Sequence, residues 1–500
     1  KFMKKLTIVF LTLTLACSLF AGGLVTNTNQ GAYYVRTLNR NASTGIDAVY
    51  FNPAGLTSLD DGLHAYLSNQ SIFQTKTVTN DYQYLKEDEF VGEVTALAFP
   101  NIFVAYKMDK LAFSAGFVPI GGGGSAEYDD GLPSFEVQVA GLKEQFGTNY
   151  RLDTYFKGSS IYYGGQAGIS YQINDMISVA VGGRYVFASN NYEGHLKDIQ
   201  IQTASGWMSP VTYLTGIAEQ FNSAAQNLQP VIDGGAGGYT LPELQSAGQL
   251  TQEQVEQLRS GLEQAGIDPA GMTATQIQDA YTNLYNQTAA QIPGLEAATS
   301  DKEVDATQTG SGITPIFSVF LEPNADLDIA LRYEMKTPLE LENDTKTDDT
   351  GMFPDGAKSS NDMPAMLAFG VAWQMNPKLK LETNINYYFA EDVDWDGAEE
   401  HLNNEYEAGL AVEYALTDAI CASGGYLFST TSATEKYQTD LSYGLDSHTV
   451  GLGIGYKLLE NLRIDVGALN TFYMEGEDDT GREHYQKTTM DFAIGVGYSF

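Results

Sequence analysis

The sequence has little cysteine, little basic charge and no long apolar run beyond its N-terminus. Cys17 and Cys421 are the only cysteines among 500 residues, which excludes a disulfide framework and a thiolate metal site. Lysine and arginine total 27 against 63 acidic residues, and the formal net charge is −36. Nucleic acid is therefore not an expected partner, because binding it needs a basic surface. After residue 21, no stretch approaches the ~20 apolar residues that a membrane helix requires.

The short motifs of common catalytic sites are also missing. The sequence has no G-x-S-x-G, HExxH or CxxC, and its five histidines are scattered. The glycine pattern Gly451–Gly455 lies in the middle of a strand-like stretch with no helix to follow, so it does not indicate a dinucleotide site. We therefore predict that the protein is not an enzyme and uses no cofactor.

What the chain does have is strict alternation, which is clearest at its C-terminus. Phe492, Ile494, Val496, Tyr498 and Phe500 occupy every second position, with small or polar residues between them. Side chains alternate across a strand, so one face is large and apolar and the other is small. This pattern is typical of the closing strand of an outer-membrane β-barrel, and 31 tyrosines and 24 phenylalanines suit its aromatic girdles. We expect barrel-assembly machinery to recognise Phe500.

The same alternation, interrupted by short Asn- and Asp-containing turns, predicts an all-β protein: a 14-stranded antiparallel transmembrane β-barrel. Asn and Asp suit such turns because they tolerate left-handed backbone and bond to their own main chain. An even strand number places both chain ends on one side, with short turns in the periplasm and long loops outside. The predicted strands are 62–74, 93–106, 110–120, 156–173, 176–192, 311–322, 327–341, 362–375, 379–391, 403–416, 420–433, 443–458, 462–475 and 484–500.

The first 21 residues have the pattern of a secretory signal peptide. Met3-Lys4-Lys5 is a charged start, Leu6–Ala16 is a short apolar run, and Ala21 is a small residue suited to cleavage. A lipoprotein role for Cys17 fits less well, because the residues before it match that pattern poorly. We predict export to the outer membrane of a Gram-negative bacterium.

Two segments depart from the strand pattern. Residues 22–61 precede the first strand and are rich in Gly, Asn, Thr and Ala, and residues 195–310 form a long insertion between the fifth and sixth strands. The insertion has helical periodicity, and Thr251 with Gln254 and Thr273 with Gln276 are capping-box pairs. The predicted helices are Tyr213–Leu228, Gln252–Ala265 and Ala274–Gln287.

One part of the N-terminal segment resembles a known family. Asn41–Leu56, which contains the triplet Asn52-Pro53-Ala54, is similar to the N-terminal hatch of the FadL/toluene-transporter (FadL/TodX) outer-membrane proteins. Gly22–Gly31, Ala98–Tyr106, Leu111–Phe117 and Asp362–Met366 resemble the same family in the same order along the chain. The resemblance implies a 14-stranded barrel plugged by a hatch, here residues 22–61, with 62–500 forming the barrel and 195–310 an extracellular helical insertion.

The resemblance also implies a transport route for hydrophobic molecules. Outer loops capture the molecule, a pocket in the lumen receives it, and it leaves sideways into the bilayer through a kink in the third strand. In this chain the third strand is Leu111–Ile120, followed by four glycines. Proline lacks a ladder donor and glycine weakens a strand, so a local break is plausible here from the residues alone. A flexible loop entrance is the alternative. The candidate gate residues are Phe113, Gly116, Phe117, Pro119, Gly121, Gly122 and, on the neighbouring strand, Pro100.

Several charged residues have open interpretations. Arg184 and Arg332 have inward parity and could contact a substrate head group, or they could form the structural ion pairs common in barrel interiors. Asp392, Asp394 and Asp396 resemble the first half of a calcium loop, but Asn403 stands where that pattern needs glutamate. A solvated acidic loop is therefore the preferred interpretation, and we predict no metal.

These observations predict passive outer-membrane transport of hydrophobic small molecules, such as long-chain fatty acids or aromatic hydrocarbons. The expected partners are that cargo, outer-membrane lipid and lipopolysaccharide, and the expected state is a monomer. The alternatives are a general porin or adhesin, in which residues 22–61 are only a leader to the barrel, and an outer-membrane lipolytic or proteolytic enzyme.

Overall fold

The wall of the molecule is a single antiparallel sheet that closes on itself. The computed structural model describes residues 31–431 and 433–500. Its first strand, Gly62–Asn80, pairs along its length with the last, Glu483–Ser499. The closed wall has 14 strands, which confirms the predicted fold class. The predicted signal peptide, residues 1–21, and residues 22–30 of the predicted hatch lie outside the described residues.

Some wall strands carry short extensions, which are numbered separately here. β6 forms a hairpin with the end of β5. β9 pairs with β10 and with the outer part of β7, beyond the ends of β8 and β11. β17 pairs with β18 beyond the end of β16. The strands are β1 (Gly62–Asn80), β2 (Glu89–Met108), β3 (Leu111–Tyr128), β4 (Tyr150–Asn174), β5 (Ile177–Thr203), β6 (Gly206–Met208), β7 (Lys302–Asn324), β8 (Leu327–Glu334), β9 (Glu340–Asp348), β10 (Lys358–Ser360), β11 (Met366–Asn376), β12 (Leu379–Tyr388), β13 (Glu405–Ala415), β14 (Ile420–Ser429), β15 (Ser447–Leu459), β16 (Leu462–Tyr473), β17 (Gly476–Glu477) and β18 (Glu483–Ser499).

Helices lie before the first strand and at the barrel end opposite the short turns. They are α1 (Ala32–Thr37), α2 (Ala48–Phe51), α3 (Pro133–Phe146), α4 (Pro210–Val231), α5 (Leu241–Ser246), α6 (Gln252–Gln264), α7 (Ala274–Ala289) and α8 (Ile292–Thr299), with 3₁₀ turns at Pro53–Ser58, Ala390–Asp392 and Ala398–His401 and a π-helical segment at Ile232–Ala236. In the described part of the chain, no helix is both long and apolar enough to cross a membrane.

The residues that alternate in the sequence lie on opposite faces of the wall. On β18, Phe492, Ile494 and Val496 are 50%, 54% and 41% exposed, whereas Asp491 and Ala493 at the alternate positions are buried. The other wall strands repeat this pattern, so a belt of apolar side chains surrounds the barrel and small or polar side chains face its interior. Such a belt suits lipid outside and a polar interior.

The strands beside the helical insertion are longer than predicted. β5 continues to Thr203 and β7 begins at Lys302, with pairing as far out as Leu196 and Lys302. The helical part of the insertion therefore spans 210–299 rather than 195–310. The sequence signal ends earlier because a ladder held by backbone hydrogen bonds needs no apolar face once it rises beyond the belt.

The predicted strand 327–341 is interrupted. β8 ends at Glu334 and β9 begins at Glu340, and Pro338 between them has no N–H for the ladder. The next strand begins at Met366 rather than residue 362. β3, in contrast, runs through the glycines to Tyr128 instead of ending at residue 120.

The three helices predicted in the insertion are confirmed, and so are two of their N-terminal caps. The Thr251 and Thr273 side chains each accept from the backbone N–H three residues on, and Gln254 and Gln276 return the bond. α3, α5 and α8 were not predicted; they are short or weakly amphipathic, so their apolar periodicity is difficult to detect.

Candidate functional site

Residues 31–61, called the luminal segment below, lie inside the barrel. The Ala32 N–H donates to Ser68 Oγ of β1 at 2.9 Å, and the Asn41 side chain donates to Asn386 Oδ1 of β12 at 2.7 Å. Further hydrogen bonds reach β4, β5, β7, β8, β14 and β16. Only a segment within the closed wall can contact strands on all of its sides.

Inward-facing glycines allow this segment to approach the wall closely. A Cβ on Gly425 would lie 1.9 Å from the Thr37 carbonyl oxygen, and a Cβ on Gly451 would lie 2.4 Å from that of Val35. Any larger side chain at these positions would overlap the backbone of the segment. The small inward face that the alternation revealed is thus the surface that α1 packs against.

Arg36 anchors the segment to three strands. Its Nε donates to Asp465 Oδ1 at 2.9 Å, and its Nη1 donates to Ser423 Oγ at 2.8 Å and lies 2.6 Å from Glu413 Oε2. The guanidinium is fully buried. A buried cation needs such partners, because its desolvation is otherwise very costly.

A second buried arginine continues the charged layer. Arg40 Nε lies 2.7 Å from Asp47 Oδ2, and its Nη1 donates to both carboxylate oxygens of Glu382 at 2.8 and 3.0 Å. The Tyr33 ring lies against both guanidiniums, with its centroid 4.0 Å from Arg36 Cζ and 3.7 Å from Arg40 Cζ. This layer joins the luminal segment to β12, β13, β14 and β16. The sequence analysis missed it, although acidic residues at inward positions of apolar strands were the available signal.

The triplet Asn52-Pro53-Ala54 is buried at a turn of the luminal segment. Asn52 Nδ2 donates to the Ser43 carbonyl at 3.1 Å, and its Oδ1 accepts from the Ser318 hydroxyl of β7 at 3.0 Å. The Ala54 N–H also donates to Ser318 Oγ, at 3.3 Å. The motif therefore joins two parts of the segment to one another and to the wall.

Arg184 and Arg332 lie at the opposite side of the lumen from Arg36. Arg184 donates to both oxygens of Glu334 at 2.7 and 2.8 Å, and to Gln166. Arg332 donates to the carbonyl oxygen of Tyr50 and lies 3.5 Å from Glu334. Both guanidiniums are buried in contacts with the protein, and a role in holding a substrate head group stays a prediction.

The wall has a break between β2 and β3. The two strands pair from Met108 and Leu111 up to Ile102 and Phe117, and then only again at Glu93 with Glu127. Residues 94–101 and 118–126 therefore face one another without ladder pairing. Backbone groups on this stretch of the wall are not joined across the gap, which is unusual for a closed barrel.

Proline and glycine surround this break. The pairing of β3 with β4 shifts register at Pro119 and again at Gly121. Gly122 has φ +98°, and a Cβ there would lie 2.2 Å from the Ser160 carbonyl oxygen, so only glycine suits this position. Pro100 is exposed on β2 within the unpaired stretch.

Three of the other candidate gate residues lie in the paired part of β3, next to the break. Phe113 and Phe117 are exposed on the outer face, and Phe117 stacks on Tyr163 with ring centroids 5.7 Å apart. Gly116 faces inward, where a Cβ would lie 2.9 Å from the Phe103 ring. Their role in a gate stays a prediction.

An apolar cluster lies on the luminal side of the break. Val118 and Ile120 of β3 are buried beside Tyr162 of β4, and they belong to one cluster with the luminal segment. The cluster's members from that segment are Ala48, Val49, Tyr50, Phe51 and Leu56. α2 thus belongs to the same apolar cluster as the inward side chains of β3 beside the break.

The helical insertion contains a cavity of about 1300 Å³ between α3, α4, α6 and α7. Its lining includes Phe146, Phe221 and Tyr281 together with several glutamines. The Tyr281 hydroxyl donates to the Leu258 carbonyl at 2.7 Å, and burial raises the pKa of Tyr281 to about 12. The lining mixes aromatic rings with amide side chains, so the cavity offers both apolar contacts and hydrogen-bonding groups.

The acidic loop that resembles half of a calcium site uses its carboxylates for main-chain contacts. Asp394 Oδ1 accepts from the Asp396 N–H at 3.3 Å, and Asp396 Oδ2 accepts from the Ser360 N–H at 3.0 Å. Within residues 31–431 and 433–500, no group of three or more His, Cys, Asp or Glu side chains is arranged to hold a metal ion.

Comparisons with known proteins agree with this architecture. Residues 341–481 match the family described as "Putative MetA-pathway of phenol degradation". No curated protein matches the chain. A solved structure of a Pseudomonas aeruginosa FadL homologue is 14% identical, with a TM-score of 0.58, and the match covers 96% of this chain and 100% of that one.

Two toluene transporters give similar matches. TodX from P. putida is 14% identical with a TM-score of 0.54, covering 92% of this chain and 95% of its own. TbuX from Ralstonia pickettii is 14% identical with a TM-score of 0.51, covering 91% and 94%. At such identities the match concerns the fold. The resemblance to the FadL/toluene-transporter barrels is thus confirmed, and this chain has their fold.

Proposed function

We propose that the protein carries hydrophobic small molecules passively across the outer membrane and releases them sideways through the break between β2 and β3. The observation that supports this most strongly is the coincidence of the unpaired stretch with an apolar cluster on its inner side. An oily solute can cross an apolar opening in the wall without entering water.

The proposed route has three stages. The cavity of the helical insertion, on the extracellular side, captures the molecule from outside. It then moves along the lumen to the cluster of Val118, Ile120 and Tyr162, where α2 blocks the way down. It leaves between the unpaired stretches of β2 and β3 into the bilayer. The charged layer around Arg36 and Arg40 opposes escape of apolar cargo into the periplasm, because such cargo cannot replace those ion pairs.

An open general porin is a weaker proposal. The luminal segment occupies the lumen and is joined to strands around the wall, which opposes a wide aqueous channel. The solved structures with this fold that are described as toluene transporters favour small aromatic hydrocarbons as the first cargo to test.

The proposal can be tested at Ile120, which is buried on the inner side of the break. Cells that lack hydrophobic-compound transporters would express the wild type, Ile120→Lys, or the matched control Ile120→Leu. We expect labelled toluene uptake to fall about tenfold or more with the lysine, because a charge in an apolar passage opposes the solute, and to stay near wild type with leucine.

Correct folding of each variant is checked by the shift in electrophoretic mobility on heating. Equal uptake by wild type and Ile120→Lys, with both folded, would contradict exit through the break. Absence of uptake by the wild type across aromatic and fatty-acid cargo would contradict transport itself.

A further inference from the structure

Two glutamates of β13 face into the lumen side by side. Glu405 and Glu407 are two positions apart, so their side chains lie on the same face of the strand and their Cα atoms are about 7 Å apart. This face is the inner one, because Tyr406 between them is 44% exposed on the outer face and Glu405 is buried. The two carboxylates therefore share one region of the lumen.

Glu407 accepts hydrogen bonds from neutral side chains only. Its Oε2 accepts from Asn386 Nδ2 at 2.8 Å and from the Tyr388 hydroxyl at 2.9 Å, and its Oε1 accepts from the Ser429 hydroxyl at 3.3 Å. Asn386 also accepts from the Asn41 side chain of the luminal segment. Glu407 thus lies beside that segment, inside the wall.

Glu405 is 1% exposed, and neither of its carboxylate oxygens has a hydrogen-bond partner among the described residues. The charged groups that act on it are Glu407 and Asp446, which are both acidic. No lysine, arginine or histidine nitrogen in the described ranges lies within 4.0 Å of an oxygen of Glu405 or Glu407, whereas Asp465 and Glu382 elsewhere on the inner wall each contact an arginine. Burying a carboxylate without donors or a cation is costly, so this arrangement points to a positively charged ligand.

Tyrosine rings and open space lie next to the two glutamates. Glu407 and Tyr34 are half-buried although both lie inside the wall, so open space exists beside them. Tyr34 and Tyr50 both interact electrostatically with Glu407, and the buried Tyr50 hydroxyl has no hydrogen-bond partner in the described part of the chain. Tyr34 also stacks on Phe51, with ring centroids 5.4 Å apart, and packs against the apolar cluster beside the break. An apolar surface therefore leads from the glutamates toward the break.

These groups suit an organic ammonium ion better than a metal ion. Calcium takes about six to eight oxygen ligands, and in residues 31–431 and 433–500 no group of three or more His, Cys, Asp or Glu side chains is arranged to hold a metal. An ammonium group needs few acceptors, because it has only three N–H donors to satisfy. It is also attracted to the faces of aromatic rings.

We propose that Glu405 and Glu407 bind the protonated amino group of an amphipathic cargo molecule, whose apolar part lies against Tyr34 and the apolar cluster beside the break. The inference rests on the proposed transport function and specifies a substrate class for it. A protonated amine donates charge-assisted hydrogen bonds to carboxylates, and Glu405 has two free acceptor oxygens in the described structure.

The experiment measures binding by the full-length protein in uncharged detergent micelles, by isothermal titration calorimetry at neutral pH. The probes are 2-phenylethylamine, 2-phenylethanol and calcium chloride; the first two share a phenylethyl group and differ only in the head group. The variants are Glu405→Gln with Glu407→Gln, which removes both charges at nearly constant size, and Glu405→Gln alone, which keeps the hydrogen bonds of Glu407. The control is Glu460→Gln, at a turn position whose side chain is 95% exposed.

We expect the double glutamine variant to bind the amine about tenfold or more weakly, and to bind the alcohol within about twofold of wild type. Glu405→Gln alone should also weaken amine binding, and Glu460→Gln should match wild type. Folding of each variant is checked by the shift in electrophoretic mobility on heating.

Equal amine affinity in the wild type and the folded glutamine variants would overturn the proposal, and so would equal losses for amine and alcohol. Calcium binding that the glutamine variants lose, without amine binding by the wild type, would also overturn it, because the glutamates would then hold a metal ion.

Toluene uptake by wild-type cells separates this inference from the proposed function, because toluene has no amino group. Glutamate-dependent amine binding together with toluene uptake supports both. Toluene uptake without head-group discrimination overturns only the glutamate site. Absence of uptake across aromatic and fatty-acid cargo overturns the transport function, while the calorimetry still decides whether the glutamates hold an amine.

Discussion

At the scale of single residues, the packing of the luminal segment inside the barrel depends on inward-facing glycines and on buried arginines. Glycines at inward positions let α1 approach the wall to backbone contact. Arg36 and Arg40 then connect the segment to carboxylates on several strands. Packing and ion pairing act together here, because a buried guanidinium is tolerated only where close packing brings its partners within hydrogen-bond distance.

Replacing one inward glycine should measurably destabilise the protein. Gly425→Ala puts a Cβ 1.9 Å from the Thr37 carbonyl oxygen, and overpacking of this kind costs about 1–3 kcal/mol. Gly165→Ala is the control, because a Cβ there has no atom within 4 Å. Urea unfolding in detergent micelles measures both free energies, and equal stability of the two variants would contradict the close approach.

Removing Arg36 should cost more than removing an exposed arginine. Arg36→Met leaves Asp465 and Glu413 without their buried cation, and breaking such a pair costs about 3–5 kcal/mol. Arg259 is the matched control, since its ion pair with Glu256 is on the surface of α6 and is worth at most about 1 kcal/mol. The same unfolding measurement applies. A difference between the variants near zero would show that the charged layer does not hold the segment.

At the scale of elements, local sequence signals set where the helices begin, whereas long-range strand pairing sets how far the break in the wall extends. The helices of the insertion begin at capping boxes that are visible in the sequence, because a cap is completed within four residues. The break between β2 and β3 has a visible cause in Pro119 and the glycines after it. Its extent, however, depends on how two neighbouring strands register against β3.

The cap at Thr273 should stabilise the start of α7. Thr273→Ala removes the side chain that accepts from the Gln276 N–H, and loss of such a cap costs about 1 kcal/mol. Hydrogen exchange of the first turn of α7 should quicken accordingly. Thr282→Ala, at an exposed position in the middle of the same helix, should leave that exchange unchanged; similar exchange in both variants would contradict the capping role.

At the scale of the whole molecule, the wall and the luminal segment are two distinct parts of the chain. The wall closes through the pairing of β1 with β18 alone, so it does not need the segment to complete its ladder. The segment lies within the wall and is hydrogen-bonded to strands around it.

Deleting residues 32–58 should therefore open the channel while leaving the wall closed. We expect single-channel conductance in planar bilayers to rise several-fold or more, because a barrel of this size then encloses an aqueous lumen. Replacing 210–299 with a short Gly/Ser linker is the control, since those residues lie outside the wall, and it should change conductance much less. Unchanged conductance after deleting 32–58 would contradict its role as a plug.

The sequence by itself determined the fold class, the number of strands, the apolar outer face and the helices of the insertion. These features follow from alternation, turn residues and caps, which act over a few neighbouring residues. Only the tertiary structure decided that Arg36 meets Asp465 and that α2 joins β3 in one apolar cluster beside the break. Those contacts join residues far apart in the sequence, and they exist only after the wall has closed and its strand registers are set.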